Sequence, residues 1–328
     1  MKKTLIALAA FAATSAAFAQ SSVTLYGRLD TFYGNSTTKN AAGVTTGKTS
    51  GLQSSGRSGT RWGMRGSEDL GGGLKANFQL EQGFSIDTGE PSGSRQFHRA
   101  SWVGLSGGFG AVQLGRYNVH TFNLIDSTDA DGTSSFSTNA DITINGVRAD
   151  NAISYTTPSM GGLVAKVAMV NEKTSTTAKF NATDLTVEYG AGPLFVGFGF
   201  GQNKTTTGGL TTGKNDGFLL GGTYDLGVAK LFTNYISTKT NKHTAVTTTS
   251  TELNLGVNVP VGAATLVAGL GRDTVKVGSA GKVSATDWVI GANYSLSKRT
   301  DTYARVSKNG AAGGGKTNTF AVGLRHNF

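Results

Sequence analysis

The chain has 328 residues, a formal net charge of +10, 48 Gly, 4 Pro, no Cys and 38% hydrophobic residues. Beyond residue 20 no apolar run is long enough to cross a bilayer as a helix, which excludes a helical membrane bundle. Gly and Pro together stay below the level of a disordered chain, and an all-β barrel of this length often forms one domain.

The first elements are a targeting signal. Met1-Lys2-Lys3 gives a positive end, Thr4 to Ala16 a short apolar core, and Ala17-Phe18-Ala19 an A-x-A cleavage site before Gln20. Residues 1–19 read as a cleaved secretory signal peptide, and 20–328 as the folded domain. Removing Lys2 and Lys3 from the 30 basic residues leaves +8 against 20 acids. The absence of cysteine suits an oxidising compartment without deciding it.

From Ser22 onward the chain repeats one pattern. Val23, Leu25 and Leu29 alternate with Thr24, Tyr26, Arg28 and Asp30. Successive side chains of a strand point to opposite faces, so each such segment is a two-faced strand. Trp62 and Met64 alternate with Arg61 and Arg65, and Leu74, Ala76, Phe78 and Leu80 with Lys75, Asn77, Gln79 and Glu81. Ala100, Trp102 and Gly104 alternate with Arg99, Ser101 and Val103. Further segments bring the count to about sixteen, with 228–238 ambiguous because Phe232 shares a face with Lys230 and Asn234. The last strand carries Phe320, Val322, Leu324 and Phe328 on one face and Thr319, Ala321, Gly323, Arg325 and Asn327 on the other. An exposed edge strand ending on an aromatic would aggregate in water, but it fits a strand that closes a barrel in lipid.

Connections alternate as well. Turns at 68–73, 106–110, 158–162, 190–193, 225–228 and 260–262 are tight, whereas 35–59, 84–95, 204–215, 239–250 and 275–285 read as long polar loops. This is the layout of an outer-membrane barrel. A soluble β-sandwich would turn apolar faces inward. Here apolar faces point to lipid and polar faces to a wet lumen. The fold class is therefore an all-β, transmembrane antiparallel β-barrel of about 16 strands.

Residues 118–147 break the pattern with some thirty residues free of strand alternation. They hold Asp126, Asp129, Asp131 and Asp141 with Phe122, Leu124, Ile125 and Phe136. Loops of this length are usually functional or disordered, and the apolar residues point to packing against the barrel interior.

Two motif matches fail on context. Gly310 to Thr317 spells G-x-x-x-x-G-K-T, but a strand rather than a helix follows Lys316, so no phosphate-binding helix terminus forms. Gly104-Leu-Ser106-Gly-Gly108 spells G-x-S-x-G, yet Ser106 sits in a strand-to-strand turn and not a strand-to-helix elbow. His98, His120, His243 and His326 lack metal-ligand spacing. No catalysis, no cofactor, no metal and no nucleic-acid partner are expected.

The candidate functional residues are cations. Arg28, Arg61, Arg65, Arg99 and Arg148 place guanidinium groups on the polar side of early strands. A basic wall in a pore favours anions.

Val23-Thr-Leu-Tyr-Gly-Arg-Leu-Asp30, Arg61-Trp-Gly-Met-Arg-Gly-Ser-Glu-Asp-Leu70, Arg99-Ala-Ser-Trp-Val-Gly-Leu105, Leu114-Gly-Arg-Tyr117 and the terminal Phe328 resemble the general porins of the Gram-negative outer membrane, nearest the beta-proteobacterial subtype. The resemblance covers the whole mature chain. It implies a homotrimer of sixteen-stranded barrels in outer-membrane lipid, with the long third loop folded into each lumen as a constriction. It matches Arg61, Arg99 and Arg148 to a basic cluster and Arg28 to the basic residue of the first strand. Asp126, Asp129 and Asp131 lie in the acidic constriction loop, although the family's Pro-Glu-Phe motif is absent. It also gives Phe328 a role in assembly. The expected function is passive diffusion of small hydrophilic solutes and ions, with a preference for anions. A substrate-specific channel would need an aromatic track, for which Tyr26, Phe32 and Tyr303 are too scattered. An outer-membrane enzyme would need an ordered nucleophile and base. A purely structural barrel would need no charge asymmetry.

Overall fold

A computed structural model describes residues 22–139, 143–173 and 175–328. The signal segment and Asp141 lie outside the described residues. Seventeen strands form one antiparallel sheet. They are β1 (Ser22–Lys39), β2 (Thr45–Ser54), β3 (Arg61–Gly71), β4 (Leu74–Gly83), β5 (Ala100–Gly107), β6 (Gly110–Asn118), β7 (Arg148–Thr156), β8 (Leu163–Lys173) and β9 (Ala178–Ala191). The rest are β10 (Leu194–Thr207), β11 (Leu210–Asp225), β12 (Lys230–Thr240), β13 (Thr248–Val261), β14 (Ala264–Val277), β15 (Val283–Ser295), β16 (Thr300–Gly310) and β17 (Lys316–Asn327). A helix, α1 (His120–Ser127), lies between β6 and β7.

From β3 to β17 each strand pairs with the next in sequence, and β1 pairs with β17 from Arg28↔Asn327 to Lys39↔Lys316, so the sheet closes. Along its other edge β1 meets β3 over Ser22–Arg28 and β2 over Thr31–Lys39. Strands β2 and β3 are thus one stave, interrupted at residues 55–60, and the barrel has sixteen staves. The terminal ring of Phe328 fits because Gly27 opposite has no side chain: a Cβ there would lie 2.1 Å from Phe328 Cζ. The backbones of these two residues exchange both hydrogen bonds.

Alternation sorts the faces. Val23 and Leu25 on β1, Phe218 and Leu220 on β11, and Leu253 and Leu255 on β13 are all exposed, between 41 and 62%. So contiguous an apolar surface on a monomer would be an association hazard in water and is matched by hydrocarbon. Their neighbours Asp30, Asn234, Glu252 and Asn254 are buried on the inner side.

Several connections are shorter than their composition implies. The segment 35–59, expected as a loop, is mostly the β1–β2 hairpin, closed at 40–44. Likewise β10 and β11 run to Thr207 and from Leu210, whereas the loops expected at 239–250 and 275–285 remain at 241–247 and 278–282, with strand at their two ends. Threonine-rich, lysine-rich segments look like polar loops in composition, but β-branched residues also favour extended pairing. The ambiguous segment 228–238 is mostly β12, with Phe232, Asn234 and Ile236 facing in.

The long connection after β6 lies against the inward faces. Leu124, Ile125 and Ile144 are buried against Leu219 and Ile236. Phe136 is buried with Phe32, Val289 and Tyr303. The apolar residues at Phe32, Ile236 and Tyr303 therefore face inward as seats for this segment. Glycines clear the rest of its bed. A Cβ on Gly197 would lie 2.5 Å from Leu124 Cδ1, and one on Gly256 2.5 Å from the Ala130 Cβ. Polar ties recur along it: Thr121 N donates to Asp184 Oδ1 (3.1 Å), Asn234 to the Thr128 carbonyl (3.2 Å), Asn258 to the Ala130 carbonyl (3.0 Å) and Asn309 to the Ser137 carbonyl (3.0 Å).

Candidate functional site: a basic constriction

A cavity of about 470 Å³ opens between this segment and the β1–β7 wall. Arg28, Arg61, Arg99 and Arg148 line it, together with Arg57 and Arg325. Strand alternation places Arg28 and Arg61, whereas Arg148 lies beyond a register shift of β7 against β6 at 149–152, where Asn151 has a φ of +50°. Arg99 arrives differently. It precedes β5, whose Val103 and Leu105 face outward, so simple alternation would turn Arg99 out. Because the backbone has not yet joined the strand, its guanidinium reaches inward to Glu81, Nε to Oε1 2.8 Å. Trp102, grouped with the apolar face in the sequence, points inward and donates its Nε1–H to Gln79 at 3.1 Å. Arg65 lies apart. Its guanidinium sits 5.2 Å over the Tyr26 ring and borders a second cavity nearer the short turns.

Arg57 carries no periodic signal, and Arg325 is not among the cations singled out from the sequence. Arg57 belongs to the break between β2 and β3. Asp30 builds that break: its carboxylate accepts from the backbone N–H of Gly56 (3.1 Å), Arg57 (3.1 Å) and Ser58 (2.9 Å), and from the Tyr303 hydroxyl (2.6 Å). The coil is thereby drawn inward and Arg57 with it. Arg325 shares the inward parity of Ala321 and Gly323 on β17, which is the signal that could have found it.

The charges are unevenly matched. Glu81 serves both Arg61 (3.2 Å) and Arg99 (2.8 Å), and Asp301 serves both Arg57 (2.7 Å) and Arg325 (2.8 Å). Arg28 donates to Asn327 Oδ1 (2.8 Å) and Arg148 to the Arg99 carbonyl (3.1 Å). Among the described residues neither forms an ion pair. The acids of the long segment split three ways. Asp131 is buried in a pair with Arg305, 2.6 Å, both side chains at most 1% exposed. Asp129 is buried and accepts from the backbone of Asp131 and Thr133 and from the Ser137 hydroxyl. Burial raises its carboxyl above the usual range against the pull of those bonds. Asp126 alone of the three is exposed, at the cavity edge, accepting from Thr133. The cavity lining thus holds six guanidinium groups against the carboxylates of Asp126, Asp129 and Asp131, of which Asp131 is already paired with Arg305; Glu81 and Asp301 stand outside the lining, each bound to two of the arginines. His98 adds no charge: partial burial and Arg148, Arg99, Arg116 and Arg95 hold its imidazole below the usual range.

Comparison with known proteins agrees with the geometry. The family model for Gram-negative porins matches residues 4–314. The chain is 39% identical over 326 residues to outer membrane porin protein 32 of Delftia acidovorans, covering 94% of this chain and 89% of that one. Its fold is similar to that of an anion-selective porin from Comamonas acidovorans, with a TM-score of 0.79, 33% identity, and coverage of 94% and 100%. The trimer form of OmpT from Vibrio cholerae has the same fold at 17% identity, with a TM-score of 0.70 over 94% of this chain and 99% of that one. The chain belongs to the Gram-negative porin family.

Proposed function

We propose that this Gram-negative porin is an outer-membrane diffusion channel whose narrowest passage favours anions. Its segment 119–139 narrows the lumen, and small hydrophilic solutes and ions pass between it and the arginine wall. The carrying observation is the excess of guanidinium over carboxylate at that passage, with Arg28 and Arg148 outside any ion pair among the described residues. One charge about 8 Å from a passing ion is worth roughly 2 kcal/mol at an effective dielectric near 20. A Debye length of about 10 Å at 0.1 M salt reduces this, so the preference weakens as salt rises. The anion-selective Comamonas structure supports the same sign.

The channel acts without catalysis. It assembles as a homotrimer, a state supported by the trimer form of the similarly folded OmpT, and is exported by the cleaved segment 1–19. Reversal potentials in planar bilayers under a potassium chloride gradient test the reading. A chloride-selective potential that shrinks at high salt is expected. A potassium-selective one would show that Asp126 and the paired acids outweigh the arginines.

A further inference from the structure

On the lumen side of β1, β3, β4 and β5 four side chains stand in one row. The register sets Thr24 against Arg65, Arg65 against Gln79, and Gln79 against Trp102, and directly opposed residues of paired strands share a face. Arg65 and Trp102 are thus separated by one strand, about 10 Å between their backbones at the usual strand spacing. The second cavity, of about 490 Å³, touches both and also Asn77, Gly104 and Gln113. That volume suits a small-molecule ligand. A third cavity, of about 370 Å³, shares Gln79, Trp102 and Gln113 with it and reaches Arg61 and Arg99. Arg65 lies four residues nearer than Arg61 to the tight turn after β3. Short turns face the periplasm in barrels of this layout, so a solute meets Arg65 and Trp102 on the periplasmic side of the constriction.

Both ends of the row are held in place. Trp102 Nε1–H donates to Gln79 Oε1 (3.1 Å), Gln79 Nε2 donates to the Tyr26 hydroxyl (2.5 Å), and that hydroxyl donates to Glu81 Oε2 (2.9 Å). The indole also packs against the cluster of Tyr117, Ala152 and Ala168. The Tyr26 ring, fixed by this chain, carries the Arg65 guanidinium 5.2 Å from its centroid. Stacking orients a guanidinium without consuming its N–H groups. Among the described residues Arg65 has no carboxylate partner and no hydrogen-bond acceptor, and it is the one charged residue of this cavity's lining. The inward positions around it, Ser67, Asn77, Gln79, Ser106 and Gln113, are polar and neutral. A merely solvated arginine needs neither an aromatic support beneath it nor an indole across from it.

We propose that Arg65 and Trp102 form a subsite of the periplasmic vestibule for aromatic carboxylates. The carboxylate takes the Arg65 fork in two parallel hydrogen bonds, and the ring lies against the indole. Asn77 and Gln113 are placed to bond polar ring substituents. An inorganic anion gains nothing from the indole, and a neutral aromatic leaves the guanidinium unpaired. The subsite names a solute class for the diffusion channel proposed above and rests on that reading for the solute's arrival, whereas binding itself does not depend on the sign of ion selectivity.

Calorimetric titration of the folded protein in non-ionic detergent with benzoate, acetate and benzyl alcohol tests it. The wild type should bind benzoate roughly tenfold more tightly than benzyl alcohol, which lacks the charge, and about fivefold more tightly than acetate, which lacks the ring. Arg65→Gln should remove the first preference and Trp102→Leu the second. An unchanged thermal midpoint of the β signal shows that each variant is folded. Should Trp102→Leu fail to fold, Arg65→Gln carries the test alone, because that side chain is exposed and its loss breaks no hydrogen bond among the described residues. Equal affinity of the wild type for benzoate and acetate overturns the subsite, as does benzoate binding unchanged by Arg65→Gln. Binding lost in Arg28→Glu with Arg148→Glu but kept in Arg65→Gln would put the ligand in the constriction and overturns it too. Failure of the selectivity reading shows separately, as a potassium-selective reversal potential, and does not enter these titrations.

Discussion

The two walls of the lumen use their inward positions in opposite ways. The wall from β1 to β7 fills them with arginines, whose long side chains border an open cavity. The wall from β10 to β14 empties them, with glycine at 197, 199, 217, 221, 256, 269 and 271 under the long segment. The first wall carries charge because it faces the passage. The second carries almost no side chain at these points because it holds the helix and its continuation. A constriction needs both: a charged surface, and an opposite surface that lets a loop lie close enough to face it.

The largest effect is expected where the long segment is fastened to β16, at Arg305. Removing it leaves Asp131 buried without its partner, at a cost of about 3–5 kcal/mol. Arg305→Met should lower the midpoint of thermal loss of the β signal in detergent, and adding Asp131→Leu should recover most of it. An unchanged midpoint in the single variant would mean that the buried pair does not fasten the segment.

Next comes the empty wall. Gly197→Leu fills the space occupied by Leu124, and overpacking of this kind costs about 1–3 kcal/mol. Pushed off this bed, the segment moves toward the arginine wall and narrows the passage, so single-channel conductance should fall. Wild-type conductance with normal stability would show that the bed is not what positions the segment.

The charged wall is probed by Arg28→Glu with Arg148→Glu. These two are better choices than Arg99, which Glu81 already holds. After screening, the balance between anion and cation passage should shift by about 1–2 kcal/mol, seen as a reversal potential moved toward cations. No movement would place both arginines outside the ion path.

The smallest change is Asp126→Asn. It removes the one exposed carboxylate among the described residues of the segment, and a single screened charge is worth about 0.5 kcal/mol in a water-like lumen. Anion preference should rise modestly. A fall in that preference would contradict the position of Asp126 at the passage.

The contrast between the walls also explains what the amino-acid order discloses. Inward and outward faces follow from period-two alternation, so the strands with Val23 and Leu25, or Leu253 and Leu255, are readable directly. Arg28 is readable for the same reason, whereas Arg148 lies beyond a register shift of β7. Arg99 and Arg57 owe their positions to backbone that leaves the strand, and alternation carries no information there. Nor does it separate Asp126 from Asp129 and Asp131. Their fates depend on Arg305 and Ser137, which lie 174 and eight residues away. The glycines of the bed look like flexible turn residues until the segment that covers them is in place. Phe32 and Tyr303 look scattered until Phe136 brings them together, ring centroids 5.3 and 6.3 Å away.

The ties along the segment have a mechanical consequence. Fastenings to Asp184, Asn234, Asn258, Arg305, Gly56 and Asn309 recur every few residues from Thr121 to Ser137. No stretch between two of them is long enough to swing as a flap. The narrowest point is therefore a fixed orifice, as stiff as the wall that carries it. Ionic current through it should follow the driving voltage in simple proportion, and any closing of the passage has to begin elsewhere in the molecule.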